Sequence, residues 1–216
     1  MEKSKMEKLK STLPNMLLSL TGVCVIAGAI LAGVNEMTKE PIAQSKAATL
    51  ETAIKAVTPE FDNKPSEESY MVATAEGDSV RIYPAKKGDE WVGAAVESFT
   101  KKGFGGEIKL IVGFDKEGKI VNYSVLQHAE TPGLGAKMQD WFSTDKGNQS
   151  IIGRAISADG LKVKKDGGDV DAITAATISS RAFLDAVNRA YSAYSGVDAT
   201  GAATSKSSEE GGDSNE

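Results

Sequence analysis

Histidine and cysteine are nearly missing from this 216-residue chain: His128 is its one histidine and Cys24 its one cysteine. Attachment of a c-type haem, an iron–sulfur cluster, a cysteine-rich zinc site and a structural disulfide all need more of these residues than the chain holds. No metal site can be assembled from the pair, and any electron carrier here would have to be organic. Basic residues are also in short supply: 25 Lys and Arg stand against 30 Asp and Glu, giving a net charge of −5. They are scattered, so no basic stripe exists to neutralise a nucleic-acid backbone, and nucleic acid is excluded as a partner. The 40% hydrophobic content is enough for one well-filled domain with appendages.

Charge is absent altogether from the 22 residues between Leu13 and Val34. As a helix at roughly 1.5 Å per residue this run is about 33 Å long, which matches a hydrocarbon core of about 30 Å. Lys3, Lys5, Lys8 and Lys10 precede it, whereas only Lys39 and Lys46 follow closely. That bias places residues 1–12 in the cytoplasm and the bulk of the chain outside. A cleavable signal peptide, cut after Ala27-Gly28-Ala29, is the competing reading. The apolar run continues past that point without a break and exceeds the usual signal core, which favours a retained transmembrane anchor over residues 13–34.

Beyond the anchor, Leu50, Ala53, Ile54 and Val57 have helical spacing up to Thr58-Pro59, and residues 35–70 read as a stalk. Strands are expected over Ser79–Tyr83, Trp91–Ser98, Ile108–Phe114 and Ile120–Gln127, the last two forming a hairpin across Asp115-Lys116-Glu117-Gly118-Lys119. A short helix is expected over Ala136–Phe142, strand pieces over Ile151–Ile156 and Leu161–Val163, and a closing helix over Ile178–Tyr194. The fold class is α+β, with one domain over 71–195 whose antiparallel or mixed sheet carries packed helices. Residues 196–216, rich in Gly, Ser, Thr and acids, form an acidic tail too poor in apolar surface to order itself.

Two clusters carry the chemistry. In Asp171-Ala172-Ile173-Thr174-Ala175-Ala176-Thr177, hydroxyls and a carboxylate stand where the last helix begins. A helix N-terminus presents unpaired N–H donors and a partial positive charge, so Thr174 and Thr177 could hold a phosphate or carry one as an ester. An ordinary N-cap threonine is the plainer alternative, although neither residue is followed three positions later by the Glu or Gln of a capping box. In the second cluster, His128-Ala129-Glu130-Thr131-Pro132-Gly133-Leu134-Gly135, the glycines would let the main chain approach a flat ring while Glu130 and Thr131 meet its polar edge. A tight Thr-Pro-Gly turn beside a solvated glutamate is the competing view. His128 reads either as a ring contact or as a surface residue, and Lys137 either as a phosphate partner or as a solvated side chain.

These clusters, in this order behind one anchor, resemble the flavin-carrying G subunit of Rnf-type electron transport complexes, with the C subunit of sodium-pumping NADH:quinone reductases as the near relative. The resemblance runs from the anchor, with its trailing Thr38-Lys39-Glu40-Pro41-Ile42, to about Tyr194. It implies FMN joined through its phosphate to Thr177 by a dedicated flavin transferase, with Asp171, Thr174 and Ala176 completing the attachment motif. Ala175 stands where the family usually has glycine. The same resemblance makes Glu130, Thr131, Gly133, Leu134 and Gly135 the flavin-contacting segment. It further implies an electron relay between ferredoxin and NAD, chemistry that would reside on partner subunits, within an ion-translocating complex of the inner membrane. The alternatives are the equivalent component of the quinone reductase and a cofactor-free anchored scaffold. Catalysis is not assigned to this chain alone.

Overall fold

A computed structural model describes residues 12–74 and 77–196. The cytoplasmic segment and the acidic tail inferred from sequence therefore lie, but for Thr12 and Gly196, outside the described residues. The chain divides into two units between Thr49 and Leu50. In the first, helix α1 (Leu13–Val57) begins; among the described residues it is the one helix long and apolar enough to cross a membrane, and its most apolar window has no buried residue. α1 continues through Pro41 and ends only at Val57, so the stalk expected to begin at residue 35 is helical over much of its length.

In the second unit, five strands form an antiparallel meander in chain order: β1 (Tyr70–Ala73), β2 (Ser79–Lys87), β3 (Glu90–Thr100), β4 (Ile108–Asp115) and β5 (Ile120–Gln127). Four agree with the segments rich in β-branched and aromatic residues. Their alternation sorts side chains between two faces. Ile82, Val96, Leu110, Val112 and Phe114 go to the main core, and Tyr83, Ala95 and Ile111 to the opposite face.

The main core is roofed by α3 (Thr177–Ser195), whose Phe183 stacks on Phe142 at 4.4 Å and meets Tyr123 edge-on at 4.9 Å. The opposite face is covered by the last turns of α1 through Ala53, Ile54 and Val57. Gly113 on β4 makes that close approach possible, since a methyl group there would collide with the Val57 carbonyl oxygen. Asn122 Nδ2 donates to the Ala56 carbonyl at 3.0 Å, satisfying one of the carbonyls that a helix end leaves open. Gly113→Ala is expected to cost about 1–3 kcal/mol, the range of an overpacked core, as a fall in the melting temperature of the full chain.

Between β5 and α3 the chain has little regular structure: a 3-10 turn (Gly135–Lys137), the short helix α2 (Met138–Trp141) and a second 3-10 turn (Lys164–Asp166). The segments around Ile151–Ile156 and Leu161–Val163, expected as strands, contribute only isolated bridges, Lys119 with Ala155 and Val163 with Val170. Around Leu161 the reason is visible. Its N–H and carbonyl are both taken by the Asn188 side chain of α3, at 2.7 and 3.0 Å, so no strand partner is required. Arg181 of α3 grips Asp166 with two hydrogen bonds of 2.7 and 2.6 Å, fixing the second 3-10 turn to the same helix.

Candidate functional site

Three segments far apart in sequence converge on the N-terminus of α3. There they line a cleft of about 370 Å³, within the range of small-molecule sites. The first is the glycine-rich turn before β4, which contributes Phe104. The second, following β5, contributes Glu130, Thr131, Leu134 and Gly135. The third is Ala175–Ser179, where α3 starts.

The turn carrying Phe104 is held from below and from the side. At its base, Lys102 Nζ reaches the fully buried Asp185 carboxylate of α3 at 3.1 Å, and Thr100 Oγ1 donates to the other oxygen at 2.8 Å. On its flank, Gly105 N–H donates to Glu130 Oε1 at 2.9 Å. Glu130 Oε2 accepts from Ser179 Oγ on the first turn of α3. One carboxylate thus ties the three cleft segments together, and it is only 4% exposed. The rim is apolar: Phe104, Leu134 and Ile178 remain 70%, 40% and 50% exposed.

α3 begins without a cap. Its N-cap residue is Ala176, and no side chain accepts a hydrogen bond from the helix start. The N-cap expected of Thr174 or Thr177 is therefore not what the structure has: Thr177 is the first helical residue, half-buried on the cleft, and Thr174 is exposed. The first N–H groups of a helix have no intrahelical partner, so this end meets the cleft as a set of donors beside a hydroxyl. Ser180, one turn in, uses its hydroxyl to brace the approach, accepting from Ile173 N–H at 2.9 Å and donating to the Ala176 carbonyl at 2.9 Å.

Ala175 has a φ of +60° and is the one non-glycine among the described residues with positive φ. An L side chain in the left-handed region costs about 1–2 kcal/mol, a physical reason for the glycine that the family resemblance expects there. Ala175→Gly is expected to stabilise the protein by less than about 1 kcal/mol, since the unfolded chain gains entropy that offsets part of the relief. A thermal melt of the two proteins measures the difference.

Of the residues singled out from sequence, Thr177, Ala176, Glu130, Thr131, Leu134 and Gly135 line the cleft together. Gly133 shapes the intervening turn at a φ of +76°. Asp171 and His128 lie elsewhere. Asp171 accepts from Asn148 N–H at 2.8 Å and pairs with Lys164 at 2.7 Å, while Trp141 Nε1 donates to its carbonyl at 2.9 Å, so it secures the loops beneath the motif. His128 Nδ1 accepts from Glu130 N–H at 3.2 Å, and its other ring nitrogen faces Gln139 at 3.2 Å. Phe104, Ile178 and Ser179 are cleft residues that sequence reasoning passed over. The signal for Phe104 was an aromatic side chain with glycine on both sides.

The Lys164 ammonium and then the Asn148 amide hold the Asp171 carboxyl below its ordinary value. A lowered carboxyl stabilises the fold above its unfolded pKa, about 3.9, and loses that contribution as pH falls through the folded value. Asp171→Asn is therefore expected to lose less stability than the parent on acidification below about pH 4, as read by melting curves across that range.

Comparison with known proteins agrees with this geometry. The family model of the FMN-binding domain matches residues 103–192. That span opens at the glycine-rich turn and closes near the end of α3, so it contains all three cleft segments. The G subunit of the ion-translocating oxidoreductase complex of Shewanella amazonensis is 36% identical over 190 residues, covering 83% of this chain and 86% of its own. The corresponding G subunit of Escherichia coli strain K12 is 37% identical over 173 residues, with coverages of 74% and 81%. The chain belongs to the G-subunit family of ion-translocating oxidoreductase complexes. In this G-type protein, the match to the FMN-binding domain takes in β4, β5, the irregular segment after them and most of α3.

Proposed function

We propose that this chain is a single-pass, membrane-anchored flavoprotein subunit that carries FMN as a phosphate ester on Thr177 and relays electrons inside an ion-translocating oxidoreductase complex. The observation that carries the reading is Thr177, half-buried on the cleft at a helix start that no side chain caps. The residues present fit the group: helix N–H donors for the phosphate, an apolar rim for a flat ring, and glycines where its edge must come close.

Charge supports a covalent bond over simple binding. Among the described residues lining the cleft there is no Lys or Arg, and Glu130 adds a negative charge. A dissociable FMN dianion would find no cation in that lining to hold it. Ester formation removes the elements of water from the threonine hydroxyl and the phosphate, and leaves one negative charge beside the helix start. Beyond the membrane, where free FMN is dilute, such a bond also makes occupancy independent of concentration.

Bound FMN supplies one- and two-electron transfer; this chain's residues attach it, shape its surroundings and place it near other carriers. On this reading a flavin transferase installs the cofactor. The lysine bias of the N-terminus sets the domain on the outer face of the inner membrane. Ferredoxin and NAD, the electron partners implied by the resemblance, act on other subunits.

The full chain, co-produced with a flavin transferase, is expected to show in-gel flavin fluorescence that survives denaturation and a mass excess of one FMN less one water. A bare polypeptide mass from cells competent for the modification overturns the reading and favours a cofactor-free scaffold.

A further inference from the structure

We infer that Glu130 is a fixed negative charge in the cleft wall that lowers the reduction potential of the flavin held there. The inference rests on the FMN reading above. Among the described residues lining the cleft, Glu130 is the one acidic or basic residue, and at 4% exposure it is shielded from solvent. Both of its oxygens accept hydrogen bonds, from Gly105 N–H and from Ser179 Oγ, the pattern an ionised carboxylate takes.

Glycines keep the space it occupies open. A methyl group at Gly103 would stand 2.6 Å from Oε1, and one at Gly135 would stand 2.6 Å from Oε2. On the adjacent turn Lys102 pairs with Asp185 at 3.1 Å, and the His128 ring nitrogen accepts from the Glu130 backbone N–H at 3.2 Å. In a poorly solvated wall Coulomb forces are weakly screened, so adding an electron to a ring beside this carboxylate is disfavoured. The potential falls accordingly, with no contact between carboxylate and ring required.

Glu130 also clamps three segments, and a purely structural role must be told apart from an electrostatic one. Glu130→Gln keeps the length and an acceptor oxygen but removes the charge, while Glu130→Asp keeps the charge but shortens the reach to Gly105 and Ser179. The full chain is first checked for covalent flavin; an unmodified parent would end the FMN reading and would be recognised as that failure. Spectroelectrochemical titration of the flavinylated proteins is then expected to place Glu130→Gln at least tenfold more easily reduced, about 59 mV more positive for one electron, and Glu130→Asp near the parent. A flavinylated Glu130→Gln protein with the parental potential overturns the inference. So does equality of the Gln and Asp variants. The parent itself gives a reading that no substitution can spoil: labelled with ¹³C at glutamate carboxyls, it must show a carboxylate band in the reduced-minus-oxidised infrared difference spectrum. A flat glutamate region refutes the inference.

Discussion

Replacing Thr177 by alanine is expected to abolish flavin fluorescence that survives denaturation, whereas Thr174→Ala leaves it at the parental level. The two hydroxyls stand three residues apart, and helix-start chemistry alone suits either, whereas the family resemblance assigns the attachment to Thr177. Structure separates them. Thr177 opens α3 and lines the cleft, while Thr174 is exposed and outside it. The cap position of the helix is Ala176, so no side-chain cap is lost with the Thr177 hydroxyl. The alanine variant should therefore melt within about 0.5 kcal/mol of the parent, as ordinary surface substitutions do. Thr177→Ser, which keeps the nucleophilic oxygen, should retain some modification. In-gel fluorescence and intact mass measure all three. Signal retained in Thr177→Ala and lost in Thr174→Ala would move the attachment point.

Phe183→Ala should destabilise the domain by about 3–5 kcal/mol, the usual cost of deleting a buried aromatic ring. Phe183 is fully buried between Phe142 and Tyr123, and it is the ring through which α3 meets both the sheet and the irregular segment after β5. At about 2–4 °C per kcal/mol for a protein of this size, the melting temperature should fall by roughly 10 °C. Flavin attachment should suffer with it, because the helix start that offers Thr177 is positioned by this packing. A loss below about 1 kcal/mol would mean that the surrounding side chains collapse into the space.

Much of the sheet could be read from the chain, because period-two alternation of β-branched residues reports a ladder directly. The hairpin of β4 and β5 is the clearest case. β1 escaped notice for a physical reason: Tyr70–Ala73 is a four-residue edge strand with no buried residue, so it has no apolar alternation to detect. The runs at Ile151–Ile156 and Leu161–Val163 misled in the opposite sense. Their apolar residues are buried, but their backbone groups are satisfied by loops and by the Asn188 side chain, and burial alone resembles a strand in sequence. In the site, Thr177 and Glu130 could be read from their local motifs. Phe104 could not, since it reaches the cleft only through the ties from Lys102 to Asp185 and from Gly105 to Glu130, contacts between residues 83 and 25 positions apart. Asp171 belongs by position to the motif that the family resemblance links to attachment, yet its carboxylate is spent on Asn148 and Lys164, which spacing alone does not reveal.

Because Ala53, Ile54 and Val57 seal one side of the sheet, the border between lipid tether and water-soluble body is not where the apolar run stops. A protease nicking the chain just after Val57 would not shed an intact globule. It would strip Tyr83, Ala95 and Ile111 of their cover and leave a sticky, aggregating remnant. Any soluble version made for biophysical work is therefore expected to need Leu50–Val57, which belong to the packing of the sheet rather than to the tether.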